Sequence, residues 1–236
     1  MRNLVKYEDI GLRDYKETWD YQEEIFQKLV SRKVTGSVFT DNEKSKINNV
    51  FITVEHPHVF TLGKSGSENN MLISNIQLKA QDATFYRIDR GGDITYHGPG
   101  QIVGYPIFDL DSMNLGLKEY INRLEEVIIL TIGELGLKGE RLNGSTGVWL
   151  DTEVQGKTRK ICAIGVRASR FVTMHGFAFN VNTNLNYFSY INPCGFIDKG
   201  VTSLEKELGE KQDLNKIKGI VKDKMQQVFE IEWINN

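Results

Sequence analysis

Arg90-Gly-Gly-Asp-Ile-Thr-Tyr-His-Gly-Pro-Gly-Gln-Ile-Val-Gly-Tyr-Pro106 decides how the rest of this chain is read. The stretch packs five glycines, two prolines, an arginine, an aspartate and a histidine; it follows one β-like run, Thr84 to Ile88, and leads into another, Ile102 to Phe108. Glycine is used where φ is positive or where something must come close to the backbone. Gly91 and Gly92 separate the charged Arg90 and Asp93, and Pro99 stiffens a turn between Gly98 and Gly100. Two readings follow: a backbone-built ligand cradle on a rigid turn, or an ordinary hairpin rich in turn residues. The glycine pattern alone leaves both open.

On the N-terminal side, Asp14 to Lys33 has the spacing of a helix, with Tyr15, Trp19, Phe26 and Leu29 near one face. Ser37 to Thr40 and Asn49 to Val54 read as strands around the polar turn Asp41 to Lys46. Val59 to Leu62 is extended, Gly63 to Asn70 a polar loop, and Met71 to Gln81 holds a short helix. On the C-terminal side, Pro106 implies an edge position or a strand end. Leu117, Ile121, Leu124, Ile128, Ile132 and Leu135 form the stripe of a helix over Leu117 to Leu137. Thr146 to Leu150 and Lys160 to Ala168 are strand-like, and Phe171 to Val181 pairs with the latter through a turn near Ser169. Leu214 to Phe229 closes the chain as an amphipathic helix. No strict βαβ rhythm runs through these elements. The expected fold is α/β of the α+β type, a mixed β-sheet flanked by helices. One catalytic domain over residues 1–236 is expected; Leu204 to Asp213, rich in Glu and Lys, is the weakest point and could detach a small C-terminal subdomain.

At 236 residues, 40% hydrophobic and 25% charged, the chain can bury a sizeable core. A net charge of -2 argues against broad binding to nucleic acid or to an anionic membrane. No apolar run has the length of a signal peptide core or a membrane span. Two cysteines make no disulfide scaffold, so a cytoplasmic location with free thiols is expected.

Each thiol is therefore either inert or reactive. Cys194 lies in Ile-Asn-Pro-Cys-Gly-Phe, framed by Pro193 and Gly195, and a thiol on a turn is more accessible than one in a strand. It is read either as a nucleophile needing a neighbour that favours the thiolate or as an unreactive turn residue. Lys160 opens an apolar run and is either a solvated edge charge or that neighbour, able to favour the thiolate and carry a proton. Cys162, two residues on, shares a strand face with Lys160 in a regular strand, and its apolar surroundings mark it as an unreactive core residue. His56 and His58 have a spacing compatible with a metal, but no acidic or cysteine cluster completes a site locally, so no metal is expected. His97 is a polar anchor or proton carrier, and His175 is read as structural. Neither a phosphate loop nor a dinucleotide fingerprint occurs.

Taken together, these residues resemble the lipoyl(octanoyl) transferases. The resemblance rests on Arg90 to Gln101 with Tyr105-Pro106. It also rests, in family order, on Glu55-His-Pro-His-Val-Phe-Thr-Leu-Gly63, Thr146-Gly-Val-Trp149, Lys160-Ile-Cys-Ala-Ile-Gly165, His175-Gly-Phe-Ala178, Asn192-Pro-Cys-Gly195 and Val201-Thr-Ser-Leu204. It implies a fold similar to the catalytic domain of biotin and lipoate protein ligases. It implies transfer of an octanoyl (or lipoyl) group from acyl carrier protein to a lysine of a lipoyl domain, as in 2-oxoacid dehydrogenase subunits or the glycine cleavage H protein. By position it makes Cys194 the acyl-thioester nucleophile and Lys160 the residue lowering its pKa. Its substrate-binding segments are Arg90, Gly91, Gly92, Asp93, Ile94, Thr95, Tyr96 and His97, with Ala163, Ile164, Gly165, Gly176, Phe177 and Ala178. No cofactor is implied, because a thioester already carries an activated acyl group. Cys162 departs from the pattern, standing where the family usually has a small residue such as alanine. An ATP-dependent lipoate or biotin ligase of the same fold and a non-catalytic carrier-protein-binding module are the competing readings.

Overall fold

Asn49-Val-Phe-Ile-Thr-Val-Glu55 alternates its apolar side chains between two layers, and that alternation organises the molecule. Val50, Ile52 and Val54 pack with Ile25, Phe26 and Leu29 of helix α1 (Tyr15–Thr35), while Phe51 enters the principal core on the other side. The structure, a computed structural model, describes residues 3–35, 49–192 and 199–234. The Ser37 to Thr40 strand and the turn after it lie outside these residues.

Among the described residues a nine-stranded sheet runs in the order β12-β1-β2-β6-β10-β9-β8-β7, with β11 beside β9. These strands are β1 (Asn3–Leu12), β2 (Asn49–Glu55), β6 (Gln101–Ile107), β7 (Glu140–Leu142), β8 (Ser145–Leu150), β9 (Arg159–Ser169), β10 (Val172–Asn180), β11 (Gly200–Val201) and β12 (Ile231–Ile234). A three-stranded sheet holds β3 (Val59–Leu62) between β4 (Thr84–Arg87) and β5 (Ile94–His97). Parallel pairs (β1 with β2 and β12) and antiparallel pairs (β6, β10, β9, β8) coexist, so the sheet is mixed, as expected. The short helix α2 (Asn75–Ala80) carries a capping box from Ser74 and Gln77. Helices α3 (Leu117–Gly133), α4 (Leu204–Leu208) and α5 (Leu214–Phe229) complete the set.

Several expectations are corrected. Strand β1 was not expected, because Lys6, Glu8 and Asp9 interrupt its apolar residues; Val5 is buried all the same between parallel neighbours. Ile94 to His97 is strand β5 rather than part of a loop. Helix α3 stops at Gly133, and its buried apolar face is Tyr120, Leu124, Val127, Ile128 and Ile132. Leu117, at the start of the expected stripe, is 43% exposed. Leu204, at the start of the Glu- and Lys-rich stretch, and the α5 residues Ile217, Val221, Met225 and Phe229 belong to the same core as α3.

Pro106 is not on an edge. It sits near the end of β6 between β2 and β10, paired with Phe51. Proline has no N–H to donate. The β6–β10 ladder runs to Gly104 opposite Phe177 and is next seen as a bridge of Asp109 with Val172, which sets His175 across from Pro106. His175 takes a positive φ of 59°, and its N–H donates to Gln22 Oε1 of α1 at 3.0 Å. The Thr173 hydroxyl donates to the Pro106 carbonyl at 3.0 Å. Side chains thus repair what the proline leaves open.

Next to this gap the backbones come close. A Cβ at Gly176 would lie 2.1 Å from the Gly104 oxygen and 2.7 Å from Pro106 Cδ. Gly176→Ala is therefore expected to cost about 1–3 kcal/mol through overpacking in a central strand. Thermal unfolding should show a midpoint several degrees lower, and an unchanged midpoint would contradict this packing.

Candidate active site

Lys160 reaches the site because β9 is irregular. Val148 of β8 faces Cys162 and Trp149 faces Lys160, so Ile161 has no counterpart on β8. Directly opposed residues share a sheet face, and Val148 and Trp149, being consecutive, lie on opposite faces. Lys160 and Cys162 therefore lie on opposite faces, against the expectation from their spacing. A β-bulge of one residue reverses the alternation. Val148, Ile161 and Cys162 enter the core, while Trp149 and Lys160 join the face of Ala163, Gly165, Gly176 and Ala178. The Lys160 ammonium sits 4.4 Å from the centre of the Trp149 ring and donates to the Thr146 carbonyl at 3.3 Å. The indole is fixed in turn by its Nε1–H donating to Ser145 O at 2.9 Å.

At the other end of the same face lies the Arg90–Asp93 segment. Gly91 N–H donates to Val166 O at 2.9 Å, and a Cβ at Gly165 would lie 2.8 Å from the Gly91 oxygen. From the outer side, Gly63, Lys64 and Ser65 donate their N–H groups to the carbonyls of Asp93, Arg90 and Gly92. Gly92 has φ +88°, which only glycine adopts without strain. The buried Arg90 guanidinium donates to Thr61 O at 2.8 Å, Thr61 Oγ1 at 3.0 Å and Gly91 O at 3.0 Å. Asp93 accepts from Asn70 Nδ2 and from Ile94 N–H. The segment is therefore a rigid wall clamped between the small sheet and β9.

Between these two ends runs a cavity of about 760 Å³. Of the residues singled out from the sequence, Arg90 to Thr95, His97, Lys160, Ala163 to Gly165 and Gly176 to Ala178 line it. Tyr96 does not. It alternates away from the cavity, bonds His58 Nδ1 through its hydroxyl at 2.7 Å and stacks on Tyr187 at 4.8 Å. Cys194 lies outside the described residues. Asn192 and Lys199, the described residues on either side of 193–198, both line the cavity. Tyr15, Trp149 and Asn180 also line it and were not anticipated; Trp149 was visible only as part of the Thr146-Gly-Val-Trp motif.

The histidines are built into the walls. Burial first, then the nearby His56, holds the His97 imidazole far below its usual value, at about 3. His97 Nδ1 pairs with Gln101 Oε1 at 2.9 Å, Gln101 Nε2 donates to Asn180 Oδ1, and Asn180 Nδ2 donates to Thr202 O. A side-chain chain thus links the glycine-rich segment to the residues after β11. Burial also lowers His56, to about 4; its ring bonds Arg13 O and the Tyr105 hydroxyl, each at 2.8 Å. His175, lowered by burial against the opposing pull of Asp89, pairs its Nε2 with that carboxylate at 2.9 Å. The Cys162 thiol is fully buried, and desolvation pushes it well above the usual thiol range despite the opposing charge of Lys160. No group of three or more His, Cys, Asp or Glu side chains converges among the described residues, and no described helix is long and apolar enough to cross a membrane.

Residues 14–226 match the family described as the lipoyl protein ligase A/B catalytic domain. A protein of Christiangramia forsetii named octanoyltransferase is 54% identical over 233 residues, 98% of either chain. One of Parabacteroides distasonis with the same name is 54% identical over 95% of this chain and 98% of its own. Among solved structures, a bi-partite lipoate protein ligase from Thermoplasma acidophilum superposes with a TM-score of 0.67, covering 100% of this chain and 86% of that one. At 12% identity, that likeness is one of fold.

Two outcomes follow. Cys162 in the folded protein should alkylate slowly from pH 7 to 9, because its thiol stays protonated while an exposed thiol, at about 8.5, ionises. Peptide mapping after brief iodoacetamide treatment checks this, and fast labelling at Cys162 would contradict its burial. The depressed histidines make the fold sensitive to acid. Neutral inside, they take up protons in the unfolded chain below about pH 6.5, so stability is complete above that value and falls toward the folded values. Each such histidine should cost up to ~1.4 kcal/mol per pH unit in that window. Urea unfolding at pH 7.5 and 5 should show the loss, with a shallower slope in His97→Gln.

Proposed function

We propose a function from one premise: the chain belongs to the lipoyl protein ligase A/B catalytic-domain family. Within it the chain is an octanoyltransferase, the name its relatives carry at about half identity over nearly their full length, and it transfers an octanoyl group in protein lipoylation. The donor is an acyl carrier protein, the acceptor a lysine of a lipoyl domain, and the acyl group travels on the enzyme as a thioester of Cys194. The observation that carries this reading to particular residues is Lys160: the bulge at Ile161 turns its ammonium into the cavity face beside Ala163, Gly165, Gly176 and Ala178.

The Cys194 thiolate attacks the carrier thioester carbonyl, a new C–S bond forms, and the carrier thiolate leaves with a proton from Lys160. The acceptor lysine, as a free amine, then attacks the enzyme thioester. Its nitrogen forms the amide, the C–S bond breaks, the surplus proton returns to Lys160, and the Cys194 thiolate is restored. An ammonium near the sulfur favours the thiolate in the resting enzyme. Thioester exchange is nearly balanced and amide formation is downhill, so the sequence of steps needs no nucleotide. The rigid wall from Arg90 to Thr95 and the small residues of β9 and β10 hold the acyl chain, with Gly165 letting that wall close onto β9. Tyr96 supports that wall from behind.

Intact-mass spectrometry after mixing with octanoyl carrier protein tests the reading. One octanoyl adduct is expected on the wild-type protein, none on a folded Cys194→Ala variant, and transfer to a lipoyl domain should be lost with it. Lys160→Ala should slow alkylation of Cys194 near neutral pH. Wild-type transfer by folded Cys194→Ala would sink the nucleophile, and activity only on free octanoate with ATP would instead identify a ligase.

A further inference from the structure

Helix α3 carries one carboxylate into the principal core. Glu125, 6% exposed, follows Leu124 on the buried face of the helix. Its Oε1 accepts the Gly147 N–H at 2.9 Å, and its Oε2 accepts from Arg141 Nε at 3.1 Å. Gly147 N–H and Thr146 C=O are the two ends of a single peptide group, which in the trans form point in opposite directions. The Thr146 carbonyl is the acceptor for the Lys160 ammonium. A buried carboxylate, one peptide unit and the Lys160 Nζ therefore stand in line, linked by two hydrogen bonds.

The peptide is held in an orientation that only glycine tolerates. Gly147 has φ +125°, and a Cβ there would lie 2.5 Å from the Cys162 oxygen. Cys162 is the residue after the bulge, so this peptide lies directly against the irregularity that turns Lys160 into the cavity. A carboxylate bonded to the N–H end polarises the peptide and strengthens its carbonyl as an acceptor. Ser145, whose carbonyl fixes the Trp149 indole beneath the ammonium, lies two residues before Gly147. Two supports of the Lys160 ammonium, the Thr146 carbonyl and the Trp149 ring, thus come from the stretch of β8 that Glu125 pins to α3.

We propose that Glu125 is a positioning residue for Lys160, acting through the Thr146–Gly147 peptide to aim the ammonium into the cavity. This rests on the reading of Lys160 as the proton carrier of acyl transfer. Glu125 never meets the substrate; it sets where the ammonium stands and how firmly it is held as a donor.

Two variants and two readouts test it. The first readout is the rate at which Lys160 is modified by a small amine-reactive reagent, followed by peptide mapping, which requires no catalysis. The second is kcat and KM for transfer from octanoyl carrier protein. Glu125→Ala releases the peptide, so modification of Lys160 should rise several-fold; kcat should fall roughly tenfold while KM changes less than about twofold. Glu125→Gln keeps an acceptor oxygen for Gly147 but loses the charge, so it should fall measurably between wild type and Glu125→Ala in both. A merely structural pin would lower stability and leave the folded enzyme's kcat and its Lys160 reactivity alone. Folded Glu125→Ala with wild-type modification and wild-type kcat overturns the proposal. If Glu125→Ala does not fold, Glu125→Gln decides. Loss of the charge should still raise Lys160 modification measurably, and wild-type modification overturns the proposal. Wild-type transfer by Lys160→Ala would remove the premise about Lys160 instead, while the modification rates still report whether Glu125 holds it.

Discussion

At Ile161 strand β9 carries one residue more than β8 can match, and the side chains on either side of that point face opposite ways. In a regular strand Lys160 would share the core face of Cys162 and Ile164, where an ammonium would have to shed its hydration among apolar side chains. The extra residue places the lysine on the face of Ala163 and Gly165 instead. The bulge has partners that make it possible. Gly147 takes a backbone conformation closed to other residues beside it, and Glu125 accepts the N–H that this conformation turns into the core. Remove any of these and the cavity keeps its walls but loses its placed cation.

The opposite end of that face depends on absent side chains. Gly165 and Gly176 are paired across β9 and β10, and the Gly91 carbonyl and the Arg90 side chain lie directly on Gly165. A methyl group at Gly165 would push the wall off β9, and one at Gly176 would collide with Gly104 and Pro106 of β6. Pro106 adds a second interruption on the far side of β10, where the ladder opens and His175 turns through a positive φ. Regular pairing holds β10 to β9 throughout, while its bond to β6 is loosened at one point and closed by Gln22 and Thr173. The cavity is thus bordered by two places where the sheet departs from a regular ladder, Ile161 and Pro106, and irregular backbone at such borders is where strands re-aim side chains.

What could be read in the chain beforehand followed from local rules. Gly92 and Gly100 mark backbone that only glycine adopts, and both have positive φ. The alternating runs from Lys160 to Ala168 and from Phe171 to Val181 pair as expected, because Arg170 and Phe171 make a tight turn with positive φ at both residues. The facing of Lys160 was not legible, since a one-residue bulge leaves no mark in an alternating pattern. Glu125 gave no signal either: a glutamate on a helix is ordinarily solvated, and its partners Gly147 and Arg141 are distant in sequence. Tyr96 was drawn into the ligand wall by its motif, yet period-two alternation along β5 turns it toward His58 and Tyr187. Strand β1 went unseen because its burial comes from its parallel neighbours rather than from its own composition.

The distribution of charge around the cavity bears on which group can assist a thiolate. The imidazoles of His56, His97 and His175 are kept neutral by burial, and a neutral imidazole offers little electrostatic stabilisation to a sulfur anion. Arg90 remains charged, but its guanidinium donates to Thr61 and to its own neighbour, and it lies over Gly165. Five residues of extended strand separate Gly165 from Lys160, roughly 16 Å at the usual rise per residue. Coulombic attraction weakens with distance, so Arg90 has little effect at the Lys160 end of the cavity. Lys160, by contrast, stands where β11 joins β9, paired with Val201, and Lys199 lies just before it in the chain. The stretch that contains Cys194 leaves the described chain at Asn192 and rejoins it at Lys199, both on the cavity wall. On the proposed reading, the cation that the bulge, the glycine and the buried glutamate together place is the one at the end of the cavity where that stretch returns.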